Sequence, residues 1–233
     1  MAVGDKWGFI DTRGHVVIQP QFKAAFYFWE GGVGTVESDR GYELIDKTGV
    51  VLAKGYGFVV PISEGRVPVS RGDMWGYLDL QGNTVIPFVY EGVREFRQGL
   101  AAACRGKKWG YINRDGQVVI PFQFDMAGEF GKGLAPARRD QETGFINQSG
   151  EFVIHLGFRY ASGFMYGDPS PFLTEDGRFG YVNSSGKVIW GPVAGIPDHW
   201  PILGWSEKAK VQSCEGIPRS MKDEIAKFPV DKK

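Results

Sequence analysis

Asp or Asn, two variable residues and then Gly recurs six times along this chain, at Asp11/Gly14, Asp46/Gly49, Asp79/Gly82, Asn113/Gly116, Asn147/Gly150 and Asn183/Gly186. Successive glycines lie 35, 33, 34, 34 and 36 residues apart. Self-similarity at a fixed period of this size marks a repeat architecture, in which each small unit completes its core on its neighbours. The repeat also provides an internal control. Any side chain that looks reactive can be compared with its counterparts in the other units.

Counting from each turn glycine exposes the unit. Six positions before it stands a second glycine, Gly8, Gly76, Gly110, Gly144 or Gly180, with Glu43 the exception. The residue ahead of that glycine is Trp7, Tyr42, Trp75, Trp109, Thr143 or Phe179, and an apolar strand follows, as in Trp109-Gly110-Tyr111-Ile112. After the turn comes a second apolar strand, such as Val16-Val17-Ile18 or Val118-Val119-Ile120, stopped by proline at Pro20, Pro87 and Pro121. The tetrad between them reads as a hairpin turn. Its first side chain supplies an oxygen to a backbone N–H two residues on, and its glycine accepts positive φ. Asp and Asn each fill the first place three times, so the acceptor oxygen is needed and the charge is not.

Beyond the hairpin, apolar residues recur every third position, as in Phe124, Ala127, Phe130 and Gly133. This spacing predicts a short turn or 3₁₀-like connector, after which a third strand such as Leu134-Ala135-Pro136-Ala137 opens. The expected fold is all-β: an array of six three-stranded β-meanders of about 34 residues over 1–204. A closed six-bladed propeller-like ring is the alternative, although four-stranded blades usually take about 40 to 45 residues. Residues 205–233 are expected to form a C-terminal cap, with a helix over about 220–228 from Ser220, Met221, Ile225, Phe228 and the stop at Pro229. A strand from Trp205 to Gln212 would favour ring closure.

Composition agrees with strands and tight turns: 14% of residues are aromatic and 34 are glycine. The 27 Lys and Arg balance 27 Asp and Glu, so no bulk field draws nucleic acid or an anionic membrane, and neither is an expected partner. No secretory signal or apolar run long enough to span a membrane is read in the sequence, which makes the cytoplasm the default expectation. Cys104 and Cys214 are too few for a disulfide framework, and reduced thiols are expected.

The string Trp-Gly-Tyr-Ile-Asn-x-x-Gly-x-Val-Val-Ile-Pro, followed by Phe-x-x-Ala-x-x-Phe-x-x-Gly-Leu-Ala, resembles the bacterial WG (or KWG) repeat family. Residues Trp109 to Ala135 match it nearly throughout, and weaker copies cover about 7 to 204. The resemblance implies a bacterial β-rich module that binds or scaffolds, with no catalytic motif in the repeat itself. The chain departs from the pattern at Glu43, at Thr143 and at His155, where proline is missing.

Tested against their counterparts, the candidate reactive groups read as tolerant surface. Cys104 shares its slot with Glu37, Ser70, Arg138 and Thr174, a solvent-facing expectation. His15 follows its turn glycine where Val50, Asn83, Gln117, Glu151 and Lys187 stand elsewhere. His155 holds a proline offset and His199 lies in the tail. No Cys-x-x-Cys, His-Glu-x-x-His or glycine-rich phosphate loop is present. No catalytic, metal-ligating or cofactor-binding residue is therefore assigned, and no enzyme is expected. The repeated tryptophans suit core packing beside a fixed glycine better than sugar stacking, because Tyr, Phe and Thr replace them. Trp29 differs: its counterparts are Arg97, Gly131, Met165 and Pro201, so the frame does not demand an aromatic there, and Trp29 is the candidate binding residue. The expected function is a non-enzymatic binding or scaffold module for a protein partner. A carbohydrate or cell-envelope binder using exposed aromatics is the alternative.

Overall fold

Each Asp/Asn-x-x-Gly tetrad closes a hairpin in the computed structural model, which describes residues 1–164 and 167–194. The turn glycines all take φ between 80° and 90°, a region that costs residues with a side chain. The side-chain oxygen accepts two backbone N–H groups. Asp11 Oδ1 takes those of Arg13 (2.8 Å) and His15 (2.9 Å), and Asn113 Oδ1 those of Asp115 (3.0 Å) and Gln117 (2.9 Å). The first bond is the one the sequence implies; the second ties the side chain to the start of the returning strand.

Among the described residues there is no α-helix, and the strands form six small antiparallel sheets. The first comprises Ala2–Val3, Lys6–Ile10 and Val16–Phe22; the second Ala24–Phe28, Gly34–Ser38, Gly41–Ile45 and Val51–Tyr56. The third holds Val67–Arg71, Met74–Leu78 and Thr84–Tyr90, with an isolated bridge from Val59 to Val69. Gly92–Val93, Leu100–Arg105, Lys108–Asn113 and Val118–Phe124 make the fourth, and Met126–Ala127, Ala135–Arg139, Glu142–Ile146 and Phe152–His155 the fifth. The sixth is Tyr160–Ala161, Ser170–Leu173, Arg178–Val182 and Val188–Ala194. The expected helix at 220–228, the strand at 205–212 and the boundary at 204 all lie outside the described residues.

The all-β meander array is therefore present, with one addition. The segment expected as a 3₁₀-like connector contributes a further strand in four sheets, and among the described residues only Glu30–Gly32 is 3₁₀. A unit of about 34 residues accommodates four strands because this one is as short as two residues, as at Gly92–Val93 and Met126–Ala127. A single residue, Lys23, Glu91 or Asp125, separates it from the last strand of the preceding sheet. A tight turn then reverses the chain at Glu64-Gly65, Gln98-Gly99 and Lys132-Gly133, where both residues have positive φ. The strained Glu64 has a second role: its carboxylate accepts the N–H of Gly99 at 2.9 Å, while Glu30 accepts that of Gly65. A side chain of one turn thus clasps the corresponding turn of the next unit.

The glycine after the tryptophan has a steric cause. Opposite Gly110 the outer strand bulges, since Trp109 pairs with Phe124 but Tyr111 pairs with Ile120. The Ile120 carbonyl oxygen lies 2.6 Å from where a β-carbon on Gly110 would stand, and Gly76 meets Ile86 in the same way at 2.6 Å. The turn glycine is constrained from another side. Ile18 packs against Gly49, Ile86 against Gly116, Ile120 against Gly150 and Ile154 against Gly186, so each turn seats on the preceding sheet.

By its contacts the described chain divides into two compact units, Met1–Ala101 with Asn113–Gln117, and Ala102–Ile112 with the described residues from Val118 on. In the first, Ile18, Phe22, Val36 and Ile45 form one core cluster, and Val33, Leu44, Tyr56, Ile62, Val67, Val69 and Leu78 another. Tyr77 packs against Phe96 and donates its hydroxyl to the Arg94 carbonyl at 2.7 Å. In the second unit Phe145, Ile154, Phe158, Phe164, Phe172 and Val182 share a cluster. There Tyr111 repeats the arrangement of Tyr77, packing on Phe130 and donating to the Gly128 carbonyl at 2.9 Å.

Candidate functional site

The three turn aspartates are the most regular carboxylates in the chain, and their acceptor capacity is engaged by their own loops. The backbone N–H of His15 is the chief cause holding Asp11 below the ordinary 3.8, and the Thr48 hydroxyl plays that part at Asp46. At Asp79 burial works in the opposite direction but is overcome by hydrogen bonds from the side chain and backbone of Asn83. All three are ionised near neutrality and weak as bases.

Cys104 is not the solvent-facing residue its variable counterparts suggest. It sits within Leu100–Arg105 at 0% exposure. The slot tolerates Ser70 because that side chain is buried as well, so variability here reflects small residues in a tight interior as much as surface. His15 and His155 are exposed; His15 Nδ1 lies 3.1 Å from Asp11 and His155 Nδ1 3.2 Å from Glu142. His199 and Cys214 lie outside the described residues. No group of three or more His, Cys, Asp or Glu suited to a metal ion occurs among the described residues.

The signature tryptophans divide by position. Trp75 and Trp109 are buried at 4% exposure each, as core packing predicts, whereas Trp7 in the first sheet is exposed. Trp29 is half-buried: it leans on the cluster of Val33, Leu44 and Ile62 while its edge meets the ring of Tyr27, 6.2 Å away. Tyr27 is the residue that sequence reasoning missed. At 77% exposure it is the most exposed large apolar side chain described. The signal was available, since Glu95, Glu129 and Gly163 fill its place elsewhere.

A second surface feature is aliphatic. Val16 and Val17, and Val118 and Val119, are exposed pairs on strands that form sheet edges, and Val51 opens another such strand with exposed Val50 just before it. An exposed edge normally invites backbone pairing with another chain. Here Pro20, Pro87 and Pro121 and the bulges beside them interrupt the edge ladder in the first, third and fourth sheets, and a bulge alone does so in the second. What these edges offer is side chains. Val17 and Val50 flank the contact of Ile18 with Gly49, so both border the seam between the first two sheets.

A third feature is a row of rings in the first unit. Phe26, Tyr42, Phe58 and Trp75 follow one another with centroids 6.0, 6.1 and 6.4 Å apart, the last three stacked with successive planes 22° apart. The first three are half-buried.

The family model for the WG containing repeat matches residues 7–42, 75–109, 109–141 and 144–168, more than half of the chain. The chain belongs to the WG containing repeat family. The comparison with curated proteins gives no match. Among solved structures, the WG array is similar to Hsv2 of Kluyveromyces lactis, described with its complete loop 6CD, at 8% identity over 87% of this chain and 70% of that chain, with a TM-score of 0.50. Hsv2 of Kluyveromyces marxianus gives 9% identity over 88% and 71%, also at 0.50. BamB of Moraxella catarrhalis gives 13% over 76% of this chain, at a TM-score of 0.45, and this chain spans 63% of its length. At such identities the likeness concerns the fold alone, which is β-propeller-like and agrees with small sheets of up to four strands.

Proposed function

We propose that this WG repeat chain is a non-enzymatic scaffold whose ligand is another protein, met through side chains on the outer sheet edges and the Tyr27/Trp29 pair. The observation that carries the reading is a division of apolar surface. The signature rings Trp75 and Trp109 are turned inward, while Val16, Val17, Val50, Val51, Val118 and Val119 are exposed in pairs along sheet edges that bulges, and in the first and fourth sheets a proline, bar from strand addition. Aliphatic side chains suit a protein partner and offer little to a sugar, which needs ring faces. Tyr27, braced by a partly buried Trp29, has the character of an interface anchor. The non-enzymatic part is supported by the turn carboxylates, each engaged by two backbone N–H groups.

The test is an affinity capture comparing wild type with Tyr27→Ala, Trp29→Ala and the double variant Val17→Lys/Val50→Lys, each with an unchanged melting temperature. Loss of the same captured protein from these variants is the expected result. Identical capture by all of them would remove this surface from consideration. The row of Phe26, Tyr42, Phe58 and Trp75 favours a second reading, carbohydrate binding along the rings. Oligosaccharide binding by the wild type that Tyr42→Ala abolishes would replace the first reading with the second.

A further inference from the structure

Two packing positions recur in the six sheets, four residues before and four after each turn glycine. The earlier position holds Ile10, Ile45, Leu78, Ile112, Ile146 and Val182, and the later one Ile18, Ala53, Ile86, Ile120, Ile154 and Trp190. In the internal seams the later residue of one sheet lies under the turn glycine of the next, leaving 2.6 to 3.3 Å to the space a β-carbon would fill at Gly49, Gly116, Gly150 and Gly186. The earlier residue joins it, as the shared clusters of Ile18 with Ile45 and of Ile154 with Val182 show.

The outermost members of both series break the pattern. Ile10 is 48% exposed, whereas its five counterparts are at 0%. No atom of the described residues comes within 4 Å of the space beside Gly14. Trp190 is 48% exposed in the slot where Ile18, Ile86, Ile120 and Ile154 are buried, and its strand, Val188–Ala194, has no buried residue. The first sheet thus shows one uncovered half of a seam, and the sixth sheet shows the other.

We propose that these two faces recognise each other between copies of this chain, the sixth sheet of one seating on the first sheet of the next. The internal seams state what covers each half: an apolar side chain beneath a turn glycine, beside an aliphatic partner. One chain carries one of each. Trp190 is braced by Phe179 and Tyr181, with centroids at 5.8 and 6.1 Å, and presents a firm apolar plate; Gly14, without a side chain, admits it closely. Such an interface is heterologous, so association through it is head-to-tail.

Sedimentation velocity of the full chain across a wide range of concentration tests the proposal. The wild type is expected to grow in mass with concentration. Trp190→Glu and Ile10→Glu are each expected to stay monomeric, with association weakened at least about thirtyfold. An equimolar mixture of the two must form a dimer and stop there, because a single working pair of faces remains. A two-fold interface that sets like faces together would not be restored by mixing. Should either charged variant lose its far-UV β-sheet spectrum, Trp190→Ala and Ile10→Ala repeat the experiment with an expected tenfold or greater weakening. A wild type that remains monomeric throughout, variants that associate as the wild type does, or folded variants that mixing does not restore would each overturn the proposal.

Discussion

Asp46 and Asn113 do the same work with different chemistry, and acid separates them. Both offer one side-chain oxygen to two backbone N–H groups, but only the carboxylate can be titrated. Because Asp46 is held below 3.8 when folded, chiefly by the Thr48 hydroxyl, its contribution is complete above that value. It is lost as pH falls through the depressed one. Asp46→Asn is therefore expected to leave the melting temperature near neutrality little changed and to reduce the loss on acidification below 3.8, read from thermal melts at paired pH values. An equal acid loss in both proteins would show that the turn carboxylate does not contribute. At this scale the sequence was fully legible, since an Asx-type acceptor and a glycine with positive φ act within a few residues of each other. Cys104 was not legible: variation in its slot looks like surface, yet the residue is fully buried. Tyr27 was legible by the same comparison that singled out Trp29, had it been applied one turn earlier.

At the scale of the element, the strand count was hidden for a physical reason. Gly92–Val93 and Met126–Ala127 are two residues each, too short to display the alternation by which a strand is recognised. Their spacing of three reflects the rotation of side chains through a strand, a corner and a tight turn in quick succession. The turn itself depends on the clasp. Glu64 tolerates a φ of 51° while its carboxylate bonds Gly99 of the following turn at 2.9 Å. Glu64→Ala keeps the backbone strain and removes the acceptor, so a destabilisation of about 1 to 2 kcal/mol is expected in urea unfolding. Glu64→Asn trades the clasp for a side chain suited to positive φ, and should recover part of that loss. If alanine costs nothing, the clasp is ornamental and packing alone sets the spacing of the turns.

For the whole molecule, the same residue type at the same place in the repeat should carry different weight according to its neighbour. Ile45 is fully buried in a seam, whereas Ile10 is about half exposed. Ile45→Ala is expected to cost about 2 to 5 kcal/mol and Ile10→Ala under about 1 kcal/mol, measured by denaturant midpoint in dilute solution. Equal costs would contradict the view that stability resides in the seams between sheets. The repeat period and the all-β class were readable because every unit obeys them; which faces remain uncovered was not, because burial belongs to pairs of units and no single unit encodes it.

The second unit carries Glu43 where the others carry glycine, and Gly55, at a φ of 81°, stands unpaired on the facing strand between the pairs Tyr42–Tyr56 and Glu43–Lys54. The glycine has crossed the hairpin: the outer strand bulges here as it does in the other units, but at a glycine of its own, and the place across from it admits a buried glutamate held by the Ser38 hydroxyl at 2.6 Å. Copy-counting by the Trp-Gly dipeptide therefore passes over such a module, as the unmatched interval from 43 to 74 illustrates. Searches that score the two facing columns jointly should find more copies in proteins of this kind than dipeptide counts suggest.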